Sequence, residues 1–444
     1  MAYLGNNPST QSFTSGTDYF SGTGSQTAYT LTRTVNSVND IEVVINNVVQ
    51  QPSTAYTLSG TTITFTSAPS SGTNNIYVRY LATNMQSFTV STNSITRTQL
   101  DSNLQAGFQG RNKIINGHMV VDQRNAGAAT TPTNSTYLLD RWSYTQVAAS
   151  KFTFQQNAGS VTPPAGFTNY LGATVASAVT VASGDYYNLC QPIEGFNTAD
   201  LGFGTANAKT VTLSFWVRSS LIGTFGGSLR NAAGNRSYPF SYSIPVANTW
   251  TSIAVTITGD TSGTWVGATN GVGINVFFGL GVGSTLAGTA GSWQAGNYLS
   301  ATGAVNPIAT AGATFYITGV QLEEGTTATS FEREIYSVTL QKCQRYFEVI
   351  GASNSGPYCQ DRFYSHANRI PATAQYAATK RATPTVTVYS GNGTVNNMSG
   401  YSSGTDNPVT SIASPGINII GYFINLTNAV TQPHLGYFTV SAEL

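Results

Sequence analysis

Residues 210–218, TVTLSFWVR, alternate strictly, with Val211, Leu213, Phe215 and Val217 on one side and Thr212, Ser214, Trp216 and Arg218 on the other. Side chains of an extended strand point to opposite faces in turn, so the pattern predicts a strand with one face in a core and the other toward solvent or a partner. The same period returns in Ile253, Val255 and Ile257 and in Ile274, Val276 and Phe278. Glycine-rich stretches at 226–234, 258–263 and 281–291 read as the turns between these strands. Long helical periodicity is absent. The expectation is an all-β chain of antiparallel β-sandwich or jelly-roll domains in series.

Period-two alternation also runs from about residue 18 to 82. Ile41, Val43 and Ile45 lead into Asn46-Asn47, a pair tolerant of positive φ, and Val48-Val49 begin the return. Ser59-Gly60 marks a second turn, and Ile76, Val78 and Tyr80 complete a small antiparallel domain. Between 94 and 110, Ile95, Leu100, Leu104 and Phe108 recur at near-helical spacing, and Thr96 with Gln99 forms a capping-box pattern. That segment reads as a short helical linker, either shared between copies of the chain or laid on a neighbouring domain. Past Phe331, Ile335, Leu340 and Tyr346 among charges suggest a helix or long strand leading into a terminal unit rich in Tyr, Asn, Ser and Gly.

Composition narrows the function classes. Of 444 residues only 8% are charged, where an ordinary globular protein carries roughly 25%. Hydrophobic content of 40% and 24 tyrosines require a folded chain, so the surface is polar without being ionic. A net charge of +1 excludes the clustered basic face that nucleic acid requires. The longest apolar run, VGINVFFGLGV at 272–282, is too short to insert in a membrane. Three widely spaced cysteines, Cys190, Cys343 and Cys359, fit neither a disulfide framework nor a zinc site and read as buried thiols. The N-terminus has no signal-peptide pattern, which implies synthesis in a cytoplasm.

Residues carrying chemistry are few. Glycan hydrolysis needs two carboxyl groups about 5 to 9.5 Å apart. The central acids Asp185, Glu194, Asp200, Asp260, Glu323 and Glu324 flank no recognisable motif, and adjacent Glu323 and Glu324 should point to opposite faces of a strand. Asp140 is expected to pair with the neighbouring Arg141. His118, His366 and His434 are isolated, and no metal or cofactor is expected. Sugar sites combine aromatic platforms with neutral polar groups and planar donors. That mix occurs in Tyr358, Asp361, Arg362, Tyr364, His366 and Arg369, and again at Tyr389 and Tyr401.

Four blocks in order, RNKIINGHMVVDQRNAG at 111–127, LDRW at 139–142, TVTLSFWVRSS at 210–220 and FYITGVQLEEGTTATSFERE at 315–334, resemble the jelly-roll module of bacteriophage tail-fibre proteins, akin to carbohydrate-binding jelly rolls. The alternating segment before them resembles a small module near the start of such fibres, AYLGNNP resembles its anchor, and CQRY at 343–346 resembles a linker. The resemblance implies an anchor at 1–17, a small β domain at 18–85, a helical neck at 86–110, the jelly roll at 111–335 and a distal β tip at 336–444. It further implies a non-enzymatic homotrimer in the virion tail, joined to a tail adaptor or nozzle protein through Tyr3, Leu4, Asn6, Asn7 and Pro8 and binding bacterial surface glycan. Glu323-Glu324 belongs in that family to a strand-end signature. The rival readings are a polysaccharide depolymerase tailspike and a head decoration fibre.

Overall fold

The computed structural model describes residues 16–81, 110–351, 369–400, 404–412, 416–427 and 434–444. The anchor residues and the helical neck lie outside them. The chain divides into two compact units, Met1–Thr96 and Arg97–Leu444. Both are built mainly from antiparallel sheets, and a short parallel pair, Ala287–Gly288 with Ser300–Ala301, occurs in the second.

In the first unit a four-stranded and a three-stranded sheet enclose Tyr56, Ile63, Ile76 and Val78, all fully buried. The Ile41–Ile45 strand pairs with Val48–Val49 across a two-residue turn, Val44 facing Val49 and Ile45 facing Val48. Asn46 and Asn47 hold φ of 49° and 64°, the left-handed pair that such a hairpin needs.

In the second unit a jelly roll packs a five-stranded sheet against a six-stranded one. The five strands run in the order Phe152–Gln156, Leu171–Val175, Thr314–Glu324, Val211–Ser219, Thr251–Ile257. The six run Ser237–Ile244, Gly223–Arg230, Val272–Val282, Tyr186–Glu194, Trp142–Gln146, Thr136–Leu139. Val211, Leu213, Phe215 and Val217 fill the space between the sheets, where Phe215 meets Tyr242 and Phe278 edge-on at 5.0 Å. Burying each such side chain contributes about 1.5 to 3 kcal/mol, so this layer is the main source of stability. The opposite face of Val211–Ser219 is more covered than alternation alone implies. Thr212 is fully buried, and Ser214, Trp216 and Arg218 are half-buried.

Two expectations change. Residues 226–230 belong to the Gly223–Arg230 strand, and the turn occupies 231–236. Gly226 and Gly227 are there for close approach: a Cβ on Gly227 would lie 2.3 Å from the Phe277 carbonyl oxygen, and one on Gly226 would lie 2.5 Å from Ser300 Oγ. The apolar run 272–282 is a strand covered on both faces, with Ile274, Val276, Phe278 and Leu280 in the main core and Phe277 and Val282 in a smaller cluster outside it. Burial on both sides explains a continuous apolar run without a membrane. Among the described residues no helix is long and apolar enough to cross one.

The junction after the jelly roll is helical, Tyr336–Gln344, with its own Thr339 and Cys343 buried. A seven-stranded sheet follows, with His434–Ser441 paired to Phe347–Ile350, Thr385–Ser390 and Asn397–Gly400. Charged contacts tie this sheet to the jelly roll. Arg345 grips Glu194 through Nε and Nη2 at 2.9 and 2.6 Å, and Glu443 receives Arg124 at 2.8 Å and also Arg141.

Candidate functional site

The outward face of the six-stranded sheet carries three cross-strand rows. Register places Arg230 opposite Asn275 and Asn275 opposite Pro192. The next row is Ser228, Phe277, Cys190 and Ser143, and the third is Gly279, Asn188 and Thr145. Residues 283–306 cross this face, held by hydrogen bonds from Gln294 N to Ser237 O, Val305 N to Thr224 O and Ser237 Oγ to Gly296 O. They can lie so close because Gly226 and Gly279 have no side chain, and a Cβ on Gly279 would sit 2.8 Å from Ser300 Oγ.

What this segment leaves open is a cleft of about 500 Å³, the size of a small-ligand site. Arg230, Asn275 and Pro192 line it from the first row, Phe277, Cys190 and Ser143 from the second and Thr145 from the third; Tyr186, Asn297, Leu286 and Leu299 are among the residues that complete it. The Arg230 guanidinium lies 4.7 Å from the centre of the Phe277 ring, and its Nη1 donates to Asn297 Oδ1 at 2.5 Å. Cys190 is no nucleophile, because burial pushes its thiol up to about 12. Asn188, on the same strand face, is fully buried with neither amide atom bonded to a protein group. The lining is therefore neutral polar groups, one cation and apolar surface. No Asp or Glu side chain is among its lining residues, which also include Leu444.

The central acids are engaged elsewhere. Asp200 pairs with Lys113 at 2.7 Å, Asp260 is held through two oxygens by Arg236, and Glu324 pairs with Lys209 at 2.9 Å. Asp185 caps the Ala182 amide. Glu194 also accepts from Tyr346 Oη at 2.6 Å; burial works to raise its pKa, yet the bonds from Arg345 and Tyr346 hold it below the ordinary range. Glu323 and Glu324 do face opposite ways: Glu323 is fully buried and accepts from Thr329 N and Oγ1, while Glu324 is on the surface. Glu332 accepts from the Gly110 and Asn112 amides, so the first and last blocks of the jelly roll are clasped together.

The expected pairing of Asp140 with Arg141 is corrected. These two residues form the turn between Thr136–Leu139 and Trp142–Gln146, Arg141 at φ 70°, and their side chains diverge. Asp140 accepts from Gln123 N and Nε2 at 2.7 and 2.6 Å. Burial raises its carboxyl to about 6, against the opposing effect of those bonds and of Arg124. Arg141, 1% exposed, reaches Glu443 and the Pro192 carbonyl and lies 3.7 Å from the centre of the Tyr346 ring. Its partner is thus 302 residues away along the chain, a distance that sequence spacing does not reveal.

Of the residues expected to touch a host surface, Tyr358, Asp361, Arg362, Tyr364, His366 and Tyr401 lie outside the described residues, as do Tyr3, Leu4, Asn6, Asn7 and Pro8. Arg369 opens the strand Arg369–Gln375. Tyr389 is half-buried and stacks on Tyr437, ring centres 4.8 Å apart and planes 7° from parallel. Sequence reading missed the cleft on the jelly roll. Its one available signal was the recurrence of polar or small residues, Asn188, Cys190 and Pro192 and then Gly273, Asn275 and Gly279, at alternate positions amid apolar text. Among the described residues no group of three or more His, Cys, Asp or Glu side chains is placed to hold a metal ion.

No protein-family model matches the sequence, and comparison with curated proteins returns no match. Similar solved structures include the enzymatically active domain of bacteriophage CBA120 tailspike protein 4, at 15% identity and TM-score 0.27 over 48% of this chain, a match spanning 21% of that structure. They also include TmCBM61 in complex with β-1,4-galactotriose, at 9% identity and TM-score 0.25, covering 48% of this chain and 99% of that one. The family 11 carbohydrate-binding module from Clostridium thermocellum, in complex with a β-1,3-1,4-mixed-linked tetrasaccharide, follows at 12% identity and TM-score 0.24, covering 45% of this chain and all of that one. At TM-scores this low, the activities of those proteins stay with them.

Proposed function

We propose that this chain is a bacteriophage tail-fibre protein that binds glycan of the bacterial envelope without breaking bonds. The observation that carries the reading is the cleft on the six-stranded sheet, where ring surface, amides and hydroxyls line a sugar-sized space without an Asp or Glu side chain. Sugars present both C–H faces and hydroxyl groups, and such a lining answers both. The central acids, engaged by lysines, arginines, hydroxyls and backbone amides, support binding over hydrolysis. The tail location, the adaptor or nozzle contact through Tyr3 to Pro8 and the trimer rest on the sequence resemblance. Exposed Ile335, Tyr336 and Val338 are apolar surface that self-association would cover, and three linked copies would turn weak sugar contacts into avidity.

The test is to incubate purified full-length protein with envelope polysaccharide from a bacterium the particle adsorbs to. Retention of polysaccharide with no new reducing ends is expected. New reducing ends would instead establish the depolymerase, and location on the head by imaging would establish the decoration fibre. A second reading of the glycan site has one observation behind it: the parallel Tyr389 and Tyr437 rings form a platform on the distal sheet.

A further inference from the structure

Arg230 is the cleft's cation, and no ion pair with it exists among the described residues. Two other arginines show what a guanidinium at a buried edge can hold. Arg236 applies Nε and Nη2 to Asp260, and Arg345 applies the same two nitrogens to Glu194. Arg230 has a neutral amide on Nη1, a ring beneath it and nothing on Nε, which is screened from solvent and donates to no group. Among the described residues its direct contacts are thus a ring quadrupole and an amide dipole, both weaker than a carboxylate. In keeping with this, burial pulls the guanidinium below its usual range. Placing an unpaired charge in a half-buried cleft is costly unless a ligand completes the pair.

Resting on the glycan reading, we infer that the cleft selects an acidic saccharide, seating an anionic oxygen group against Arg230. A uronic-acid carboxylate and a phosphodiester both supply that chemistry, since guanidinium binds either through charge-assisted hydrogen bonds. Asn275, opposite Arg230 in the same row, and Thr145, in the third row, face the sugar hydroxyls.

The experiment is titration calorimetry of the full-length protein with three probes: an oligogalacturonate, the same oligosaccharide after carboxyl reduction, and a glycerol-phosphate polymer. One of the two anionic probes should bind at least about tenfold tighter than the reduced oligosaccharide. That advantage should vanish in Arg230→Met and survive in part in Arg230→Lys, which keeps charge and stem; unchanged melting curves confirm that both fold. Whichever anionic probe binds identifies the source. Binding of neither anionic probe more tightly than the reduced oligosaccharide overturns the inference and leaves the glycan reading standing. An anion preference that persists in Arg230→Met also overturns it, because the anion then sits elsewhere. Failure of all three probes to bind folded protein overturns the inference and removes support for the cleft as a glycan site.

Discussion

Replacing Arg141 by Met should destabilise the Arg97–Leu444 unit by about 3 to 4 kcal/mol. Arg141 and Glu443 are 1% and 7% exposed, so the pair is shielded from water and removal of one partner leaves a buried charge, a loss of about 3 to 5 kcal/mol. Two further contacts go with it, the bond to the Pro192 carbonyl at 2.5 Å and the stack on Tyr346. Arg124, 2.8 Å from the other Glu443 oxygen, remains and offsets part of the loss, which is why the lower half of the range applies. These effects share partners and do not add. Urea unfolding followed by tryptophan fluorescence measures it cleanly, because all five tryptophans, Trp142, Trp216, Trp250, Trp265 and Trp293, lie in this unit. A single variant within about 1 kcal/mol of the parent would refute the idea that this long-range pair locks the distal sheet to the jelly roll.

Asp140 gives a pH signature. Its folded pKa of about 6 lies above the unfolded 3.8, so the folded state binds more protons between those values, and this group's stabilising contribution is full below pH 3.8 and lost as pH rises through 6. Relative to Asp140→Asn, the parent should therefore gain up to about 3 kcal/mol on going from pH 7 to pH 4, read as urea midpoints, and a gap independent of pH would contradict the assignment. In the first unit, Asn47→Val should cost about 1 to 2 kcal/mol, because φ of 64° places Cβ against the backbone, and hydrogen exchange across Ile41–Val49 should quicken while Asn47→Gly leaves it unchanged or slower. Cys190 and Cys343 are buried and their thiols raised by burial, so iodoacetamide at pH 8 should leave both unmodified until denaturant is added; native labelling at either position would mean that the local packing is wrong.

The strand pattern was legible because it is local. Val211 to Val217 declare their buried face within nine residues, and Asn46-Asn47 declare a left-handed turn within two. The reading was wrong where a residue's reason lies far along the chain. Gly226 and Gly227 look like a turn until Ser300 and Phe240 are seen against them. Asp140 and Arg141 look like a pair until Gln123 and Glu443 are found. The cleft was hidden for the same cause, since Arg230, Phe277, Cys190 and Ser143 become neighbours only through strand register. Residues 283–306, which shape its opening, read from sequence as little more than glycine-rich loop.

The most direct measurement is a structure of the full-length protein with an oligosaccharide released from the envelope of a bacterium it adsorbs to. The account predicts sugar lying along the Phe277, Cys190 and Ser143 row with an acidic group at Arg230. Sugar bound only at Tyr389 and Tyr437, or on the outer face of the five-stranded sheet, would contradict it.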